Sequence, residues 1–362
     1  MNNQLLHRLI RQFSTESLIA FLSDKNPDFE PIRTPLRNYP SEDFSQALEL
    51  GELPFEHAEN LGVYSFRVNK ALSERSGKKA QYDLAKKVLK DAQQDAGIFV
   101  FYDAQGNFRF SLVYADYHGT KVDWSTFKRF TYFVSPQLTN KTFLQRVGEC
   151  TFSSLEEIKD AFSVEKVTNE FFNGFRTILE KTQKEFEEAN KYTACSWLKS
   201  KYEPEDYQEQ VKSFNLTFLG RIIFLYFLLR KGWIEDRSDY IRKIFEDRTR
   251  HNLYQEVLAP LFFDVFAKPE NERPERIRQQ FKNTPYLNGG LFEHSDLEHE
   301  MAKERIMIFY RDDFLRDIIL NYFEIYNFTV DENTPTDQEV SIDPEMLGKV
   351  FENLLEVNDR KS

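Results

Sequence analysis

Cysteine is scarce in this chain of 362 residues: Cys150 and Cys195 stand far apart, and no Cys-x-x-Cys pair occurs. A zinc ribbon and a disulfide scaffold are thereby excluded, and two buried thiols in a reducing compartment are expected. Glycine and proline are sparse too, 13 of each. There is no Gly-x-x-x-x-Gly-Lys-Ser/Thr phosphate loop, no Gly-x-Gly-x-x-Gly fingerprint and no Gly-x-Ser-x-Gly elbow. The six histidines are scattered, and His294 and His299, five apart, fall off a common helical face, a poor start for a metal site. Long apolar runs are missing as well. The longest, Ile222–Leu229, is eight residues and too short for roughly 30 Å of hydrocarbon. Met1–Phe21 carries His7, Arg8 and Arg11 and has no apolar h-region, so it does not read as a signal peptide. A soluble, cytoplasmic protein with no membrane partner is expected.

What is abundant is aromatic. The chain has 35 Phe and 17 Tyr, and 41% of it is hydrophobic against 30% charged. Each ring can bury about 150–250 Å², so large aromatic clusters are expected, and the length points to two domains, with three as the alternative. Lys and Arg number 48 against 59 Asp and Glu, a net charge of −11. That sum argues against a dedicated nucleic-acid binder, but the charge is unevenly placed.

The periodicity predicts an α+β chain. Residues 3–22 read as a helix broken near Ser14–Thr15. Residues 24–60, rich in proline and acid, read as an extended excursion with one short helix around Phe44–Leu50. Val63–Val68 alternates as a strand, 78–94 is an amphipathic helix, and Ile98–Tyr102, Phe108–Tyr114 and Arg129–Val134 are strands, the first two joined by a turn with Gly106. A small mixed α/β sheet domain is therefore expected over 1–150, followed by a mainly helical domain over 151–362. In the latter, Ser154-Leu-Glu-Glu157 fits a capping box. Further helices are read over 164–192, 207–231 (ended by Gly232), 238–247, 252–266, 272–281 and 312–326. Ile306–Phe309 reads as a short strand, 331–345 as an acidic linker, and Asp343–Leu355 as a last helix with Asp343 as N-cap. That helix carries an apolar stripe of Met346, Leu347, Val350, Phe351, Leu354 and Leu355. Asn288-Gly-Gly290 is read as a tight turn with positive φ, with a functional loop as the alternative.

Lys78, Lys79, Lys86 and Lys87 on the amphipathic helix, with Arg67, Lys70, Arg75 and Lys90, form a basic stretch. Lys128 and Arg129, with Lys121, Lys141 and Arg146, add a second group. Such clusters supply salt-sensitive contact to phosphates; an ordinary solvated face is the equal alternative.

Four phrases in one order carry a resemblance. They are Ser163-Val-Glu-Lys-Val-Thr-Asn-Glu-Phe-Phe172, Arg221-Ile-Ile-Phe-Leu-Tyr-Phe-Leu-Leu-Arg-Lys-Gly-Trp-Ile234, Pro285-Tyr-Leu-Asn-Gly-Gly-Leu-Phe-Glu293 and Asp343-Pro-Glu-Met-Leu-Gly-Lys-Val-Phe-Glu-Asn-Leu-Leu355. Over about residues 60–360 the chain resembles the region upstream of the methyltransferase domain in single-chain type IIG restriction–modification enzymes, which join an N6-adenine DNA methyltransferase to cleavage and target recognition. In that family the Glu-Asn-Leu-Leu helix runs into Thr-Gly-x-Tyr-Tyr-Thr-Pro, the start of the S-adenosylmethionine pocket, with Asn-Pro-Pro-Tyr later. Neither motif is in these 362 residues.

The resemblance implies a non-catalytic N-terminal module that positions double-stranded DNA and braces a methyltransferase domain, in cis or as a separate subunit. S-adenosylmethionine would belong to the full enzyme, and no cofactor is expected in this chain. It tips the basic stretch toward phosphate contact. It also raises a divergent Mg²⁺ nuclease in the first domain, for which Asp103, Asp116 and Lys121 are the candidates and Glu59 a further carboxylate. Asp116 and Lys121 are five apart rather than two, and Asp103 reads equally well as a turn residue. A protein-interaction scaffold without a DNA role is the remaining alternative.

Overall fold

Local hydrogen-bonding chemistry sets the start of the second helix. Helix α1 (Gln4–Arg11) ends before Ser14, whose hydroxyl accepts from the Ser17 N–H and opens α2 (Thr15–Lys25), the break expected from sequence. The structure is a computed structural model that describes residues 3–55, 60–73, 76–118, 121–287, 289–330, 333–344 and 348, with the backbone alone over 116–118 and 121–126. The chain divides into two compact units: Met1–Asn169 together with Asp331–Ser362, and Glu170–Val330.

The first unit is built on a seven-stranded sheet in the order β1 to β7. Strands β1 (Glu30–Pro35), β2 (Phe44–Pro54) and β3 (Asn60–Val68) form an antiparallel meander. Helix α3 (Lys78–Ala92) then crosses over to β4 (Ala96–Tyr102), which runs parallel to β3. Strands β5 (Phe108–His118) and β6 (Lys121–Val134) continue antiparallel. After them come α4 (Lys141–Glu149), α5 (Leu155–Ala161) and the start of α6 (Val164–Ala189). The last strand, β7 (Asp337–Glu339), pairs parallel with β6. The central strands are buried along most of their length, and on one face Tyr64 stacks on Phe99 and Phe66 on Phe101, with ring centres 5.0 and 5.5 Å apart. Ala85, Val88 and Leu89 of α3 close that core.

Two readings of this unit need correction. The helix around Phe44–Leu50 is strand β2. Its register slips between Ser45 and Leu48 and again between Glu49 and Gly51, and Gln46 sits at φ 48°, so bulges break the two-residue alternation that marks a strand. The acidic linker over 331–345 contains β7, whose Asp337 meets Arg129 of β6 in a two-pronged ion pair at 2.9 and 2.7 Å.

The second unit is helical: the remainder of α6, then α7 (Ala194–Lys201), α8 (Pro204–Arg230), α9 (Tyr240–Glu246), α10 (Glu275–Gln280), α11 (Asp296–Lys303) and α12 (Asp312–Asn321). Pro204 opens α8, and Gly232 at φ 71° follows its end, as expected. By length and composition α8 could cross a membrane, but 78% of its apolar window is buried inside the protein. The helix expected over 252–266 is present as one helical stretch over 253–266, in which two π-helical segments, Tyr254–Leu258 and Leu261–Phe266, are joined through Ala259-Pro260. Residues 306–309, expected as a short strand, form none and enter no sheet. At residue 154 the box is half formed: Ser154 accepts from the Glu157 N–H, while the Glu157 carboxylate turns to Thr151 and Ser153. The complete box is Ser295–Glu298 at α11. Gly289 has φ −147° and Gly290 is not in the left-handed region, so the expected positive-φ turn is not formed by either. Asn288 and the stripe from Met346 to Leu355 lie outside the described residues. Both cysteines are buried free thiols, and burial pushes the Cys150 thiol up to about 12.

Candidate nucleic-acid interface

Helix α3 is held in place by charge that faces inward. Gly77 at φ 69° begins it. The fully buried Arg109 of β5 donates to the carbonyls of Ser73 and Ser76, at 2.6 and 2.5 Å, and to Gln81 Oε1 at 3.0 Å. Tyr82 donates to the Phe127 carbonyl, and the Arg129 guanidinium lies 5.5 Å from the Tyr82 ring. These anchors and the apolar face of α3 leave its opposite face to solvent.

The basic residues on and beside α3 therefore divide. Lys78 points back into the unit, where its ammonium pairs with Glu339 at 2.8 Å, and only 20% of its side chain is exposed. It does not share the solvent face expected of it. Lys86 is half-buried over Tyr82, 4.7 Å from the ring centre, and pairs with Asp83 at 3.5 Å. Lys79, Lys87 and Lys90 are exposed. Lys87 lies 5.6 Å from the Tyr39 ring, and the Tyr39 hydroxyl donates to Asp91 at 2.8 Å. Burial, with Asp91 next, pushes that phenol up to about 12. Lys128 is half-buried opposite Tyr114 in the β5–β6 ladder. Arg129 is fully buried against Asp337 and offers nothing to an outside phosphate.

Of the nuclease candidates, Asp103 lies at one end of β5, while Asp116 and Lys121 stand near each other on the backbone ladder at the other end. Asp103 is buried, and both oxygens are engaged. Oδ1 accepts from the Gln105 and Asn107 N–H groups, and Oδ2 from the Leu72 N–H and Asn107 Nδ2, all at 2.8–2.9 Å. It is a turn cap at the Tyr102–Phe108 end of the hairpin. Asp116 pairs with Asp123, and Lys121 with His118, near the other end of β5. Eight residues of strand separate Phe108 from Asp116, about 27 Å at ~3.4 Å per residue. Glu59 lies outside the described residues. Among the described residues no three His, Cys, Asp or Glu side chains gather as a metal-holding group.

A polar pocket of about 380 Å³ opens at the C-terminal end of α3, with Glu52, Asn60, Gln94, Asp95, Tyr114 and Lys159 in its wall. Tyr64 donates to Gln94 Oε1 at 2.6 Å, and Gln94 Nε2 donates to Glu52 at 3.1 Å. A Cβ on Gly62 would lie 2.5 Å from both the Gln94 oxygen and the Tyr64 hydroxyl, so this relay needs glycine there. Burial, followed by the charge of Glu52, raises the Glu49 carboxyl. Lys159 pairs with Glu156 at 2.8 Å and sits 4.8 Å from the Tyr114 ring. Two carboxylates in the wall disfavour phosphate and favour donors such as amines and hydroxyls. The sequence reading missed this pocket; the available signal was Gly62 and Gly97, two strand glycines paired across β3 and β4.

In the helical unit, two of the resembling phrases meet. Arg221 of α8 donates to the carbonyls of Leu291 and Glu293, at 2.8 and 3.0 Å, and grips Glu298 with two bonds of 2.7 and 3.0 Å. The apolar run of α8 thus also fixes the Pro285–Glu293 loop. His294 stacks on Phe263 with ring centres 4.0 Å apart. Burial lowers its pKa.

Residues 155–339, just over half of the chain, match the family described as a domain of unknown function, DUF7814. The chain belongs to the DUF7814 family. A protein of Methanocaldococcus jannaschii, assigned by inference as a type II restriction enzyme and methyltransferase, is 31% identical to this DUF7814 chain over 209 residues. The match takes in 53% of this chain and 17% of that relative, so the chain spans about one sixth of the relative's length. The DUF7814 chain is thus related to a restriction–modification protein. No solved structure matches it.

Proposed function

We propose that the chain is a DNA-handling front module of a restriction–modification enzyme of type IIG organisation. It positions double-stranded DNA and braces an N6-adenine methyltransferase domain carried elsewhere in the enzyme or on a separate subunit, in the cytoplasm. The observation that carries this reading is the 31% identity to the restriction–modification relative over half the chain. The exposed Lys79, Lys87 and Lys90 on an anchored helix support it, because lysines on a rigid element give sequence-independent phosphate contact.

S-adenosylmethionine belongs to the other domain in this reading. The described glycines at positive φ, Gly51, Gly77, Gly106 and Gly232, serve a strand bulge, a helix start, a hairpin turn and a helix end. None lines the 380 Å³ pocket, so the chain offers no glycine cradle there for such a cofactor.

The test is anisotropy of a fluorescent duplex against this chain across salt concentrations. Binding should weaken as salt rises, and Lys79→Glu, Lys87→Glu and Lys90→Glu together should flatten that slope by about 3 if each lysine meets one phosphate. No duplex binding at low salt would sink the reading.

A further inference from the structure

The helical unit carries an open groove of about 580 Å³ between the α6–α7 turn and the segment after α11. Its rim is apolar and exposed: Tyr192 is 85% exposed, Met307 56% and Phe309 38%. Trp197 lines it from α7. Isolated exposed apolar residues need no explanation, but these share one groove.

The groove is built rather than loose. The buried Asn190 side chain holds Phe309 twice, accepting from its N–H at 2.8 Å and donating to its carbonyl at 2.9 Å. The next residue but one, Arg311, donates its N–H to the buried Glu185 at 2.8 Å. Both aromatic rings carry an ammonium. Lys191 Nζ lies 5.3 Å from the centre of Tyr192, and Lys201 Nζ 4.1 Å from Trp197.

Charge decides what such a groove fits. Four nearby acids share two cations within the unit: Glu300 and Glu304 share Lys201, and Glu185 and Glu188 share Arg311. Among the described residues, Lys191, Lys199 and Arg305 have no carboxylate within ion-pair distance. On a protein of net charge −11, the groove thus sets Lys191 and Arg305, neither of them ion-paired, beside the exposed Tyr192 ring. An exposed ring beside unpaired cations is the complement of unpaired nucleotides, whose bases stack while the phosphates meet the charge. A protein-docking core, by contrast, is depleted of lysine.

We infer that this groove binds single-stranded DNA, with Tyr192 as the stacking platform and Lys191 and Arg305 as phosphate contacts. The inference rests on the reading that the chain handles DNA, but it uses a different surface from the α3 lysines.

The experiment uses the full chain with fluorescein-labelled dT15 at low salt, read by anisotropy, and unlabelled dT15 read by tryptophan fluorescence. The expected result is salt-sensitive binding that quenches the tryptophan signal. Tyr192→Ala should weaken it about tenfold, and Tyr192→Phe, which keeps the ring, should retain it. Duplex affinity should be unchanged in both variants. At 85% exposure neither change threatens the fold. Equal dT15 affinity in wild type and Tyr192→Ala would overturn the inference, as would equal losses in the Ala and Phe variants. Duplex binding without dT15 binding would overturn it while leaving the DNA-handling reading intact; no binding of either would remove both. Quenching by an apolar peptide with no response to dT15 would make the groove a protein-docking surface and overturn it too.

Discussion

Arg221 and Arg316 lie in the same helical unit, are buried to the same degree, and are satisfied in opposite ways. Arg221, 3% exposed, is matched by a buried carboxylate, Glu298, as well as by two loop carbonyls. Arg316, 5% exposed, donates only to the carbonyls of Phe245, Asp247 and Arg250, at 3.1, 2.9 and 2.8 Å, at the end of α9. A helix C-terminus is a natural cation site, because its last carbonyls are unpaired and carry partial negative charge. The first arrangement uses two charges to lock a loop; the second uses one charge and the backbone. The two should therefore fail differently.

The largest effect is expected at Arg221. Arg221→Ala leaves Glu298 buried without its cation and should cost about 3–5 kcal/mol, read as a fall in Tm or in the urea midpoint. Replacing both partners by apolar residues, Arg221→Met with Glu298→Leu, should recover most of that loss, since a buried pair is often worth little against a packed apolar one. If the double variant is as unstable as the single, the pair is not the cause.

The carboxylate also gives the first region a pH signature that the second lacks. Burial raises the Glu298 carboxyl, but the Arg221 guanidinium and the Ser295 contacts outweigh it, and the net shift is below the ordinary 4.5. A depressed carboxyl contributes stability above its unfolded value, and that contribution is lost as pH falls through the folded value. Stability measured from pH 6 downward should thus decline across and below about 4.5, and the Arg221→Met, Glu298→Leu chain should decline less. An identical slope in the two proteins would assign the acid sensitivity elsewhere.

Arg316→Met is the next step down. It strands no charge, only helix-end carbonyls, and water can reach the exposed Arg250 end. A cost of about 1–3 kcal/mol is expected, smaller than at Arg221 and without a shift in pH dependence. A loss as large as that of Arg221→Ala would show that the difference between matched charge and matched carbonyl does not matter here.

Much of this was legible in the sequence, and the misses have physical causes. The break at Ser14, the β4–β5 turn at Gly106 and the end of α8 at Gly232 follow from capping and turn chemistry acting over four residues. Strand β2 was hidden because bulges erase its period. Strand β7 was hidden because three residues, Asp337–Glu339, have no strand-like composition; besides the ladder to β6 they are held by Arg129 and Lys78 of neighbouring elements. The candidate carboxylates Asp103 and Asp116 are near in sequence, yet β5 runs between them and carries them apart. Arg129 looked like a surface cation because nothing in one strand reveals that the next strand over supplies its partner.

The smallest effect separates two adjacent lysines. Lys78 and Lys79 are the same residue type at the first two positions of α3. Lys78 meets Glu339, whose side chain is 4% exposed, whereas Lys79 is exposed. Lys78→Met leaves a nearly buried carboxylate without that partner, and it should cost about 1–2 kcal/mol, below the full penalty because Lys78 itself keeps some solvent access. Lys79→Met should stay within about 0.5 kcal/mol of wild type. Duplex affinity should show the reverse: Lys79→Met lowers it and Lys78→Met does not, since one charge is turned to solvent and the other to Glu339. Paired measurements of Tm and duplex anisotropy on the two variants read both halves. If both lysines lower affinity and neither lowers Tm, Lys78 faces the solvent after all, and the division of α3 into an anchoring charge and a contacting charge is wrong.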